Sequence, residues 1–128
     1  MDQISNFITA LKNAGQAQHE SMTTPYSKLK HSIAEVLKKE GFIKDVEEKS
    51  VKGKKAMVIT LLSENRAPKI KGVQRISKPS KRIYKKAGEI RPVKNGYGAL
   101  VVSTSAGVMS GKEAKRAKLG GEALFSIW

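Results

Sequence analysis

The chain has 128 residues, enough for one ordinary domain or two small lobes sharing an interface, and its 25 Lys and Arg against 11 Asp and Glu leave a formal charge of +14. A surplus of that size points to a polyanionic partner. There is no cysteine, which excludes disulfides and thiolate metal sites. No apolar run approaches the roughly 20 residues that cross a membrane. The opening MDQISNF lacks the basic and apolar regions of a secretory signal, so a cytoplasmic home is expected.

DQISNFITALKNAGQ sets Ile4, Phe7, Ile8 and Leu11 on one helix face, with Asp2 as the expected cap and Gly15 as the expected stop. SMTT reads as a brief strand. TPYSKLKHSIAEVLKKEG repeats the helical pattern through Tyr26, Leu29, Ile33, Val36 and Leu37. Thr24 or Ser27 can cap it, Pro25 suits a first turn, and Gly41 ends it. The period then falls to two. FIKDVEE and KAMVITLL flank KSVKGK, a turn around Gly53, and form an antiparallel hairpin. The first lobe, residues 1–65, is therefore α-β-α-β-β with both helices on one sheet face.

Residues 66–128 read as a β-rich lobe with one short helix, which makes the fold class α+β. GVQRIS, KRIYKK and GALVVSTS are short strands separated by Pro79, Gly88, Pro92, Gly96 and Gly98. SGKEAKRAKLGG is the helix, with Ser110 and Glu113 at capping-box spacing and Gly120 after its end. EALFSIW closes the chain as a strand.

Motifs for catalysis fail on their own chemistry. In AGVMSGKE, Ala106 stands where a phosphate loop needs its first glycine, and Glu113 stands where it needs a hydroxyl. GYGALV precedes a strand and has Val101 in place of a third glycine, so it is no dinucleotide fingerprint. His19 and His31 read as solvated, without a carboxylate at metal-ligand spacing. Glu47 and Glu48 are strand neighbours and point to opposite faces. No catalytic group, metal or cofactor is expected.

Charge is concentrated in the middle of the chain. Residues 66–94 hold eleven cations and one acid, Glu89, while residues 1–65 and 95–128 each net +2. IKGVQRISKPSKRIYKK interleaves Ile70, Val73, Ile76, Ile83 and Tyr84 with those cations, so the charge sits on a folded surface rather than a disordered tail. The plainer alternative, charge for solubility alone, does not require so one-sided a stretch. Next to it in sequence, GALVVSTS ends in Ser103, Thr104 and Ser105. Such a triplet can be an ordinary strand-end turn. It can also approach the shallow minor groove and exposed base edges of RNA, with Gly107 letting the backbone come close. Long cations alongside would contact phosphates, which gives affinity but little sequence information.

SKLK, IAEVLKKEGFI, RISKPSKRIY, GYGALVVSTSAGVM and GGEALFSIW occur in order across nearly the whole chain. Together they resemble the bacterial type of the small-subunit ribosomal protein S-eight family. The resemblance implies a two-lobe α+β protein that binds the central domain of small-subunit ribosomal RNA early in assembly, at a helix with an irregular internal region. It implies an RNA-contacting loop at Ser103, Thr104 and Ser105, with Gly121 and Glu122 close behind. Lys28, Lys30 and Arg82 fall at matching basic positions, Lys81 lies beside them, and Tyr84 stacks or, more in keeping with its strand, packs. Implied partners are neighbouring small-subunit proteins and the chain's own messenger RNA, with no membrane and a monomer when free. A plastid ribosome fits the same resemblance. The sequence departs from the family at the opening, where Gln3 and Ser5-Asn6 replace the common pattern and Leu11-Lys12 stands for isoleucine-arginine. That removes support for phosphate contacts from the first helix. Ser80 stands where a glycine is common, and Phe125 where a cysteine is frequent, which reads as a core exchange.

Overall fold

The computed structural model describes residues 3–64 and 67–128. Asp2, the expected first cap, lies outside them. Helix α1 spans Gln3–Gln16 and buries Ile4, Phe7, Ile8, Leu11 and Ala14, the face set by its apolar spacing. Gly15 is not its stop. The helix runs on to Gln16, and Gln18 takes the left-handed turn at φ +61°, closed by His19 N–H donating to Ala14 O at 3.0 Å. A C-cap needs the conformation rather than the glycine, and here a non-glycine residue bears the modest strain.

Strand β1, Ser21–Pro25, absorbs Pro25, which pairs with Ala56 instead of opening the next helix. The proline sits on an edge strand, where its missing N–H costs no ladder bond. Helix α2, Lys28–Lys39, starts two residues later than its apolar pattern suggests, leaving Tyr26 outside. Ser27 is the cap, its Oγ accepting from Lys30 N–H at 3.4 Å, and Gly41 follows the end at φ +83°. Strands β2, Ile43–Val51, and β3, Lys54–Leu61, form the hairpin. Lys52 and Gly53 alone make its turn, both at positive φ, so the strands extend further than KSVKGK implied. Sheet order is β1-β3-β2. Lys38 Nζ lies 3.0 Å from Asp45 and ties α2 to β2; their hydrogen bond and charges raise the lysine pKa and lower the carboxyl pKa.

A short pair, β4 (Ser63–Glu64) and β5 (Ala67–Pro68), leads to the β-rich lobe. There β6 is Val73–Arg75, β7 Tyr84–Lys85, β8 Ala99–Thr104, β9 Gly107–Ser110 and β10 Gly121–Ile127. Strand β10 is central. It pairs with β6 and β7 along one edge and β8 along the other, with β9 beyond β8. Strand β9 leaves no mark in the sequence, since GVMS has no alternation to reveal it. Helix α3, Gly111–Arg116, is capped by Ser110, whose Oγ accepts from Glu113 N–H at 3.2 Å. Only that half of the capping box forms, since the Glu113 carboxylate instead meets Lys39 of α2 at 2.8 Å. Gly120 does not close α3. Lys118 does so, at φ +59°, while a Cβ on Gly120 would lie 2.6 Å from Lys85 O, so that glycine serves close packing.

One apolar cluster unites the lobes. Ile8, Leu11, Ile33, Leu37, Met57 and Ile59 share it with Val101, Phe125 and Ile127. A smaller cluster of Ile90, Leu100, Val102, Ala114 and Ala123 lies under α3. Phe125 is fully buried, as its reading as a core exchange required. Burying such a side chain stabilises by about 1.5–3 kcal/mol, so these shared residues hold the lobes far more firmly than the exposed Lys39–Glu113 pair does. Among the described residues, no helix is long and apolar enough to cross a membrane.

Candidate nucleic-acid interface

The hydroxyl triplet lies where β8 turns into β9. Register places Tyr84, Glu122, Ser103 and Val108 in one row across four strands, and Lys85, Gly121, Thr104 and Gly107 in the next. Ser105 and Ala106 form the connecting turn, and Gly107 leaves it at φ +116°, a conformation that requires glycine.

The three hydroxyls have different duties. Thr104 Oγ1 donates to Gly107 O at 2.8 Å and accepts from Ala106 N–H at 3.1 Å, so it braces the turn. Ser103 is half-buried in the row facing α2, beside Val101 and Val108. Ser105 is exposed, and no hydrogen bond of its side chain occurs among the described residues. Only that hydroxyl is both fully presented and uncommitted.

Behind the turn, Gly121 permits a close strand approach. A Cβ there would lie 2.1 Å from Ser103 O. Glu122 is largely buried and engaged. Its Oε2 accepts from the fully buried Ser77 hydroxyl and from Arg82 at 3.0 Å. Burial pushes its pKa up, but the Ser77 hydrogen bond and the Arg82 and Arg75 guanidiniums more than offset this and hold it below the usual value. Ser77 Oγ also accepts from Ile83 N–H at 3.1 Å. These bonds anchor the turn between Lys78 and Lys81, whose backbones pair at 2.9 and 3.0 Å, and leave both lysines exposed. Glu122 thus fixes a basic turn relative to the serine turn. Its partner Ser77 is distant in sequence, so no local signal could reveal the connection.

Tyr84, expected to pack, is 69% exposed. It presents its ring beside Glu122 on the open end of the sheet. Lys28 is exposed at the start of α2, whereas Lys30 bends back to donate to Thr24 Oγ1 at 3.2 Å. A cleft lined by His31, Ser32, Gly107 and Val108 brings the first turns of α2 next to the serine turn. Of the residues singled out from sequence, Gly107 shares this cleft, Glu122 meets Arg82, and register sets Tyr84, Glu122 and Ser103 side by side. His31 is not without a carboxylate: Glu35, one turn on, lies 3.7 Å away, although among the described residues no third metal-ligating group joins them. The lysines of the β2–β3 hairpin escaped the sequence reading because nearby acids cancel them in any tally by region.

The sheet order, the basic turn and the exposed hydroxyl describe an α+β protein of two small lobes with a basic, polar surface. The family described as Ribosomal protein S8 matches residues 2–128, and the chain belongs to that family, whose members are structural proteins and not enzymes. Similar chains carry the name Small ribosomal subunit protein uS8. That of Salinispora arenicola is 42% identical over 99% of this chain and 97% of its own. Those of Pediococcus pentosaceus and Leuconostoc mesenteroides are 45% and 46% identical over the same shares.

Proposed function

We infer that this chain is a structural constituent of the small ribosomal subunit and binds its ribosomal RNA directly, in the central domain, helping that RNA to assemble. The carrying observation is Ser105: an exposed hydroxyl without a side-chain partner among the described residues, on a turn braced by Thr104. Ser105 and Ser103 read an irregular RNA helix, and Gly107 allows the backbone to approach. Lys28, Lys81 and the exposed part of Arg82 contact phosphates, with Lys30 available once it leaves Thr24. Tyr84 offers an aromatic face to an unstacked base. Gly121 and Glu122 enter the site by holding both turns in place. In this reading residues 66–128 form the RNA-binding lobe and residues 1–65 the lobe that supports it. The ribosome is the place of action, neighbouring small-subunit proteins are further partners, and the free chain is a monomer.

Titration into a central-domain fragment at roughly 0.2 M salt, with excess transfer RNA, tests this, because bare phosphate binding is weak there. A fully paired duplex of equal length is the control. Tight binding to the fragment alone is expected. Equal, weak binding to both would leave only a basic protein. Addition of the chain to translation of its own message tests the second RNA target, and lack of inhibition would remove it.

A further inference from the structure

A second cleft, about 550 Å³ in volume, lies between α3 and the loop 91–98. It takes in Ala99 and Leu100, the end of β8 away from the serine turn. The length of that strand, about 16 Å at about 3.3 Å per residue, separates the two places. The cleft is preformed. Gly111 lets α3 come close to its neighbours, since a Cβ there would lie 3.0 Å from Ile90 and 3.1 Å from Leu100. On the other wall, the N–H groups of Gly96 and Gly98 both donate to Val93 O at 3.0 Å, and Lys94 Nζ lies over the Trp128 ring at 4.7 Å. The loop is thereby pinned to the residue that follows β10.

Its lining is of two kinds. Exposed Pro92 and half-buried Val93 and Ala99 give it apolar surface, together with the buried Ile90 and Leu100. Its rim is basic. Lys112, Lys115 and Arg116 stand at i, i+3 and i+4, one face of α3, and Glu40 is the one acid among the lining residues. Lys115 Nζ donates to Ile90 O at 3.4 Å. The side chains of Lys112 and Arg116 are exposed and have no ion pair or hydrogen bond among the described residues. Like charges one turn apart work against a helix, and an anion held between them removes that cost.

The two kinds of lining select the occupant together. A phosphate chain would satisfy the cations and gain nothing from the apolar wall. A peptide with acidic residues around one apolar side chain satisfies both, and a preformed cleft spares the cost of ordering its walls. Tyr97 supports a protein partner further. It is 86% exposed between the lining glycines Gly96 and Gly98, and such a ring supplies contact area of the sort protein interfaces favour.

We propose that this cleft is a protein-docking site for an acidic segment of a partner protein, with one apolar side chain of that segment seated against Val93 and its carboxylates on Lys112 and Arg116. Tyr97 flanks the seated segment. The site goes beyond the reading above and stands whether or not the serine turn binds RNA. Single-stranded RNA is the competing occupant.

The test titrates three labelled probes into the full chain at roughly 0.15 M salt. They are a short peptide of glutamates around a central leucine, the same peptide with a central serine, and an oligouridine of equal charge. The leucine peptide should bind about tenfold more tightly than the serine peptide, since burying a leucine side chain is worth at least that factor. Amide resonances of Gly96, Gly98 and Gly111 should shift with the leucine peptide and stay in place with the other two probes. The K112A/R116A variant should weaken the leucine peptide about fivefold, as the loss of two exposed ion pairs allows, and melt as wild type does. Equal binding of the two peptides would show a merely basic surface and overturn the site. Oligouridine that shifts the same amides and binds as tightly as the leucine peptide would assign the cleft to RNA instead. Undiminished binding of the leucine peptide by K112A/R116A also overturns the proposal.

Discussion

Ser77 and Ser105 are the same residue in opposite circumstances. Ser77 is fully buried, donates to Glu122 and accepts from Ile83, and so spends its hydrogen-bonding capacity on the fold. Ser105 lies in solvent with its capacity unspent. The two regions touch through Glu122, which belongs to the first and is paired by register with Ser103, two residues from Ser105. A hydroxyl with internal partners reports on stability, and one without them reports on recognition. Changes in the two regions should therefore separate into loss of folding and loss of RNA affinity.

The largest effect is expected at the seam between them. Gly121→Ala forces a Cβ into the Ser103 carbonyl, 2.1 Å away, and should cost about 3 kcal/mol in denaturant unfolding. RNA affinity should fall with it, because the serine turn shifts. Full stability in this variant would break the comparison.

Glu122→Ala comes next. It leaves the Ser77 hydroxyl buried without its acceptor and should cost about 2 kcal/mol, with a smaller loss of binding through the loosened Lys78–Lys81 turn. The carboxylate also gives this region a pH signature. Its folded pKa lies below that of an ordinary glutamate, so its stabilisation is present above the ordinary value and is lost as the pH falls through the folded one. Melting curves of wild type and Glu122→Gln should differ most near neutrality and converge in acid. Parallel curves would remove Glu122 from the acid transition.

Ser105→Ala should weaken specific RNA binding by about 1 kcal/mol and leave unfolding unchanged, since no internal bond is lost. Unchanged binding would show that the turn is not the reader. The smallest effect is expected from Lys81→Ala. It should lower affinity for all RNAs alike and flatten the salt slope by about one unit if one phosphate contact is lost.

Much of this was legible in the sequence because it is local. Periodicity gave α1, α2 and the hairpin, since each buries one face at its own repeat. Ser27 and Ser110 were readable as caps because a capping hydroxyl acts within three residues. The errors cluster where residue type is a poor guide to conformation. Gln18 and Lys118 take left-handed turns expected of Gly15 and Gly120, and Pro25 sits in a strand edge. What stayed hidden is non-local: the Ser77–Glu122 bond spans 45 positions, and Glu113 leaves its own helix cap for Lys39. The serine turn could be noticed but not apportioned, because the hydroxyls of Thr104 and Ser105 are told apart by what surrounds them.

The single apolar cluster shared by Ile33, Leu37, Val101, Phe125 and Ile127 has a consequence for assembly. Melting either half exposes core residues of the other, so calorimetry should record one transition whose van't Hoff and calorimetric enthalpies agree. On the proposed RNA-binding function, the chain meets its partner as a rigid gauge, with the distance from α2 to the serine turn already set. The entropy of fixing that distance falls on folding rather than on association, and on that proposal any adjustment of fit falls to the RNA.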